Sequence, residues 1–447
     1  MVDLPQPDDD EGRGEGRDEP DAGGGSQPPG LPPFFGLGGA QPGAIDFSQV
    51  DFNQVMRMLQ STGPVNWEIA RQTAEWVALE GKPELQVAPA DRSQFEELAH
   101  AAQTLVVAET DLTGTFATGV TTMGPKGWVD LHLVALRPVL EALAATLATA
   151  MRPDDLDDAE SLDEDLSAIP GLAGLGNLGA LSGLGAGGIL EMIAPVLLGV
   201  QSGSMIGYLA QHAFGRYDLP LPTGPVPGGD EPSLCFVVSN IDAFEREWSL
   251  PRDDLRFAVA LHEVVRAAER SVPWVRAELV RLAVEYVSSY EIDPAAFESE
   301  FGMLDPSDPE SIAAMTSHPE RVLGAMQSPR QSVAREQLQR LTSVIEGYAE
   351  HVAALVGRRL VPTYDRINEA MQRHRVERGE AERFIEGLLG LKLERAHYEQ
   401  GRAFCDGVIE RAGLAGLNRL WEGAAMLPTA NELAAPGLWL ARIELPQ

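Results

Sequence analysis

The chain has 447 residues, 44% of them hydrophobic and 23% charged, enough for a large buried core and two or three domains. Its net charge of −33, from 67 acidic against 34 basic residues, repels nucleic-acid phosphates and anionic membrane surfaces. Two widely separated cysteines, Cys235 and Cys405, leave no disulfide framework or thiolate zinc site and fit a reducing cytoplasm.

The first residues, MVDLPQPDDDEGRGEGRDEP, lack the basic start and apolar run of a signal peptide. Residues 1–45 are rich in Gly, Pro, Asp and Glu, and their composition predicts a disordered acidic tail. Phe34 and Phe35 within it are costly to leave in water and are candidates to dock back. From Asp46 apolar residues recur every three or four positions, in DFSQVDFNQVMRMLQS and NWEIARQTAEWVALEG. Pro64 breaks the first run and Gly81-Lys82-Pro83 ends the second. DRSQFEELAHAAQTLVVAET and WVDLHLVALRPVLEALAATLATAM continue as helices.

An acidic linker, RPDDLDDAESLDEDL, and a Gly/Leu-rich connector, IPGLAGLGNLGALSGLGAGG, follow. The glycines are too many for a stable helix by propensity, and no GK[ST] ending or preceding strand makes them a phosphate loop. GILEMIAPVLLGVQSGSMIGYLA carries Glu191 and several glycines, which predicts a buried helix pair and not a membrane span. Together, residues 46–219 read as an N-terminal helical region.

Residues 220–447 read as a second region. After a Pro/Gly loop, SLCFVVSNI is the best strand candidate, and IDAFEREWSLPRDDLRF leads straight into ALHEVVRAAERSVPW. Further helices are expected in QSVAREQLQRLTSVIEGYAEHVAALVGRRL and RFIEGLLGLKLERAHYEQGRAFCDGVIERAG, before a terminal segment ending LPTANELAAPGLWLARIELPQ. The predicted fold is mainly α with minor β.

ALHEVVRAAERSVPW carries the chemistry. In HExxH two histidines four apart share a helix face and meet one zinc, while the glutamate reaches the zinc-bound water. Zinc makes that water acidic, and the glutamate takes its proton for attack on a carbonyl. Here His262 and Glu263 keep the first two positions, but Arg266 stands where the second histidine belongs. A guanidinium only donates hydrogen bonds and stays charged, so it cannot serve as a ligand.

The chain resembles a bacterial zincin-like family of zinc-dependent metalloproteases or hydrolases, with a related branch associated with deazaflavin-coenzyme biosynthesis. The stretches that carry the resemblance are GPVNWEIARQTA, YDLPLP, ALHEVVRAAERSVPW, IEGYAEHVAAL, LGLKLERAHYEQGRAF and LNRLWEGAAMLPTANELAAPGLWLAR, in that order. The resemblance implies a zincin-like helical scaffold, with His262 as first zinc ligand, Glu263 as catalytic base and Glu346 as the distant third ligand. Arg266 departs from the pattern and leaves zinc one donor short of the usual three.

Two readings follow. One is a zinc-dependent metallopeptidase or other hydrolase with a further ligand still to be found. The other is a catalytically inactive zincin-like scaffold that binds a peptide or protein partner, with Arg266 replacing the metal as counter-ion and pairing with Glu346 or Glu263. Glu350 shares a face with Glu346 and is a candidate substitute ligand, whereas His351 is turned away. For both, a core or solvated role is the plainer expectation. Glu269 is expected to pair with Arg266 or Arg270, and the remaining histidines show no ligand spacing. Trp274, after Pro273, is expected to pack where the motif helix ends. No nucleic-acid partner and no membrane span are expected.

Overall fold

α1 (Trp67–Ala78) opens on Asn66, whose side chain accepts the N–H of Ile69, and turns Ala70, Ala74 and Ala78 inward. The structure, a computed structural model, describes residues 63–110, 112, 119–150, 185–223, 234–291, 328–376, 385–391 and 394–444. The expected tail at 1–45, the run at 46–61 and the linker at 152–166 lie outside the described residues, as does nearly all of the Gly/Leu connector.

α2 (Pro89–Thr110) and α3 (Pro125–Ala150) follow the predicted periodic runs. α4 (Gly185–Ala210) corrects the expected helix pair: it is one helix that passes through Pro195. The reason is its partner. The Pro195 carbonyl accepts the N–H of Asn66 at 2.8 Å, and glycines at every fourth position lie against α1. A Cβ on Gly199, Gly203 or Gly207 would stand 2.5, 2.3 or 2.5 Å from a carbonyl oxygen of Asn66, Ala70 or Ala74. These glycines allow backbone-to-backbone approach, and that packing outweighs their poor helix propensity. Gly203→Ala is therefore expected to cost about 1–3 kcal/mol, read as a lowered urea midpoint, because backbone has to move to admit the methyl group.

The sheet is a single parallel pair, β1 (Val120–Met123) with β2 (Leu234–Val237), in register Val120 to Leu234. β1 had no signal in the sequence, and β2 is shorter than the predicted strand at 233–241. At Val238 the chain turns helical into α5 (Val238–Trp248), where Asn240 Nδ2 donates to the Ala210 and Ala213 carbonyls at 2.8 Å each. α5 does not run straight into the motif helix: Ser249 takes a left-handed conformation and Pro251 precedes α6 (Arg252–Ser271).

α6 ends before Pro273, the first residue of α7 (Pro273–Val287). Trp274 packs there half-buried and donates its indole N–H to the Trp421 carbonyl at 3.1 Å. α8 (Pro329–Leu360) starts on a Ser328 cap, and α9 (Tyr364–Val376) follows after a short turn. The helix expected over 383–413 is broken: Gly390 takes φ +70°, and a capping box of Glu394 and His397 starts α10 (Arg395–Asn418) afresh. Two short helices close the described chain, α11 (Ala430–Ala434) and α12 (Pro436–Glu444). The architecture is mainly helical with two short strands among the described residues. No described helix is long and apolar enough to cross a membrane.

Candidate functional site

From Ala258 to Arg270 every residue of α6 is buried, so this helix is wrapped on all sides by α2, α5, α7, α8, α9 and β2. A helix in that position has no solvent face for its polar residues. His262, Glu263, Arg266, Glu269 and Arg270 must each find a partner inside the protein.

Glu263 finds its partners in the loop after α4. Its Oε1 accepts the N–H of Arg216 at 2.7 Å and of Tyr217 at 3.1 Å, and its Oε2 accepts Tyr217 N–H at 3.1 Å. Gly215 is needed beside it, since a Cβ there would stand 2.6 Å from the carboxyl group. The loop is held from the other side as well. Trp128 Nε1 donates to the Gly215 carbonyl at 2.9 Å, the Val237 N–H to the Phe214 carbonyl at 2.8 Å, and His132 lies between the Trp128 and Arg216 carbonyls. Burial pushes the Glu263 carboxyl up to about 8, against the pull of the backbone N–H groups.

His132, fully buried and stacked on Trp128, is depressed by burial to about 4. With an unfolded value near 6.5, its contribution to stability is complete above pH ~6.5 and fades as pH falls toward 4. The difference amounts to about 3 kcal/mol at most. Urea unfolding of His132→Gln is expected to show a shallower loss of stability between pH 7 and pH 4 than the natural chain shows.

His262 stands one residue before Glu263 and faces α9. Its Nε2 is 3.3 Å from the Tyr364 hydroxyl, with the two rings nearly coplanar in orientation, and its Nδ1 has no partner. Burial first, and then the charges of Arg266 and Arg375, hold its pKa well below the usual imidazole value, so the ring is neutral.

Arg266 is 1% exposed and donates from Nη2 to Glu346 Oε2 at 2.8 Å. Its Nη1 lies 3.6 Å from Asp218 Oδ1, and Arg375 of α9 approaches the same two carboxylates at 3.7 and 3.9 Å. Burial alone would raise the Glu346 carboxyl, but Arg266 and Arg375 outweigh it and keep the group below its ordinary value, hence ionised. Of the two partners expected for Arg266, Glu346 or Glu263, the hydrogen bond goes to Glu346. Asp218, Arg375 and Tyr364 were not anticipated. Asp218 lies within YDLPLP, a stretch noted for its resemblance but not for its charge; nothing about the spacing of Arg375 or Tyr364 marks them.

The other candidates are occupied elsewhere. Glu350 accepts from Asn368 Nδ2 at 2.5 Å and Gln372 Nε2 at 2.8 Å, a core role. His351 pairs with Asp406 at 2.7 Å on the surface side of α8. Glu269 lies 3.4 Å from Arg270, and burial pushes its carboxyl well above the usual range.

The donor set does not suit zinc. Of the residues the resemblance implies, Glu346 Oε2 is committed to a guanidinium, His262 Nε2 to a tyrosine hydroxyl, and Glu263 to two backbone N–H groups, which leaves only Glu346 Oε1 and His262 Nδ1 without a partner. Two N–H donors, one of them shared, engage both oxygens of Glu263, which leaves little to activate a water molecule. Among the described residues no three His, Cys, Asp or Glu side chains are grouped to hold a metal ion. The positive charge of Arg266 among these groups opposes a divalent cation.

This buried HE helix paired to a second long helix through Glu346 defines a class. The sequence matches the zincin-like metallopeptidase family over residues 65–440, and the chain belongs to that family. Among solved structures it is similar to a Chloroflexus aurantiacus protein described as a "putative hydrolase with a novel fold". That likeness has 22% identity and a TM-score of 0.56, over 86% of this chain and 100% of the other. At that identity the likeness shows a shared fold. No curated protein matches the chain.

Proposed function

We propose that this chain is a zincin-like scaffold in which a buried charge cluster has replaced the metal centre, and that it binds a peptide or protein partner without zinc-dependent hydrolysis. The observation that carries this reading is the fully buried contact of Arg266 Nη2 with Glu346 Oε2 at 2.8 Å. It ties up one of the implied ligands with a cation that cannot be deprotonated. On this reading His262 and Glu346 are former ligands, and Glu263 is a former general base that now fastens the loop at 216–218. That loop stands on the N-terminal side of the proposed boundary at 219/220, so both proposed regions contribute to the cluster. Two buried free cysteines fit the cytoplasm as its location, and the acidic tail at 1–45 is a second candidate surface for a partner.

A second reading, a working zinc hydrolase, draws support from two atoms. His262 Nδ1 and Glu346 Oε1 are both buried without a hydrogen-bond partner, as open ligand positions would be. The two readings separate on peptide hydrolysis. A mixed peptide library is incubated with the full chain, with and without added zinc, and cleavage is read by mass spectrometry. We expect no cleavage beyond that seen with Glu263→Gln in either condition. Zinc-dependent cleavage that disappears in Glu263→Gln would establish the hydrolase reading instead.

A further inference from the structure

Three arginines of the cluster keep N–H groups that no described residue satisfies. Arg266 Nε, Arg270 Nε and Nη2, and Arg375 Nη2 are buried and make no hydrogen bond. The three side chains lie together. Arg266 and Arg375 both approach Glu346 Oε2, at 2.8 and 3.7 Å, and Asp218 Oδ1, at 3.6 and 3.9 Å. Arg270 stands one turn beyond Arg266 on the same face of α6, 3.4 Å from Glu269. None of these side chains is more than 9% exposed.

Buried donors in folded proteins almost always have a partner, and a guanidinium can only donate. A partner for these groups, ordered water or a ligand, therefore brings acceptors. The planar fork of arginine matches the oxygens of a carboxylate or a phosphate, and the charges of all three arginines act on the one carboxylate of Glu346. One acceptor of an ionised carboxylate in the same cluster, Glu346 Oε1, also lacks a partner. A bare anion would leave it unmet; an oxyanion with a hydrogen-bond donor beside it would satisfy both kinds of atom.

We propose that the Arg266, Arg270 and Arg375 cluster is a ligand site for a small oxyanion carrying an adjacent hydrogen-bond donor. A hydrogen phosphate group and the C-terminal carboxylate of a peptide with its neighbouring N–H both have this chemistry. The inference deepens the proposed partner-binding role and rests on it, in that guanidinium groups and not a metal ion provide the attraction.

The test uses the full chain treated with a chelator, so that it does not depend on metal content. Inorganic phosphate, N-acetylglycine and chloride are titrated separately at matched ionic strength, with calorimetry and thermal unfolding as readouts. The expected result is saturable binding of phosphate or of N-acetylglycine, whichever is the physiological chemistry, and none of chloride. Arg375→Lys keeps the charge but loses the fork, and is expected to weaken that binding at least tenfold; Arg270→Lys provides the same readout should Arg375→Lys fail to fold. Equal responses to all three anions would overturn the proposal, as would a lysine variant that binds like the natural chain. Zinc uptake by the untreated protein would instead overturn the reading that the metal centre has been replaced, a separable outcome.

Discussion

Arg266→His is expected to create a zinc site where the natural chain has none of comparable strength. The substitution removes a fixed cation from the centre and adds an imidazole one helical turn from His262. With His262 and Glu346, the introduced imidazole completes a set of three protein ligands. At a separation of ~4 Å and a surface-like effective dielectric, each unit of like charge costs a cation roughly 4 kcal/mol. Its removal alone corresponds to about a thousand-fold in affinity. The same substitution strips Glu346 of its 2.8 Å partner, and breaking a buried pair typically costs about 3–5 kcal/mol. The metal-free variant should therefore unfold at lower urea than the natural chain and recover when zinc is added. Calorimetric zinc titration and urea unfolding with and without zinc read both effects. A variant with no better zinc affinity than the natural chain would mean that Arg266 is not the obstacle.

Glu263→Ala is expected to damage the fold and not merely an activity. The alanine would leave the buried N–H groups of Arg216 and Tyr217 without an acceptor. At about 1–3 kcal/mol for each unsatisfied group, the loss comes to roughly 2–6 kcal/mol. Glu263→Gln retains one carbonyl acceptor and should lose less. A glutamate whose role was only that of a general base would behave differently: its removal would abolish turnover and leave the urea midpoint nearly unchanged. Hydrogen exchange at Arg216 and Tyr217 provides a local check, since both amides should lose protection in the alanine variant and the rest of the helical core should not.

Both predictions rest on features that the sequence reveals unevenly. The long amphipathic runs α1, α2, α3 and α8 are legible because burial on one face imposes a 3.6-residue period on their residues. Family resemblance points correctly to a mainly helical zincin-like scaffold, with α6 at its heart. α4 escapes a local reading because proline and glycine report local preference, whereas the decisive contact is with α1, more than a hundred residues earlier. β1 is four residues long and exists through its pairing with β2, so no local pattern announces it. The cluster shows the same division. The spacing of His262, Glu263 and Arg266 can be read along one helix, and the resemblance supplies Glu346. Asp218, Tyr364 and Arg375 arrive from a loop and another helix, and only the fold brings them to the same point.

The metal content of the natural chain tests the exchange of zinc for arginine most directly. Protein from cells grown with added zinc is purified without chelator and its zinc measured by plasma mass spectrometry, beside Arg266→His prepared in the same way. The account predicts only traces of zinc on the natural chain, lost on brief dialysis, and a stoichiometric, retained ion on the variant. A full equivalent of tightly held zinc on the natural chain would contradict it.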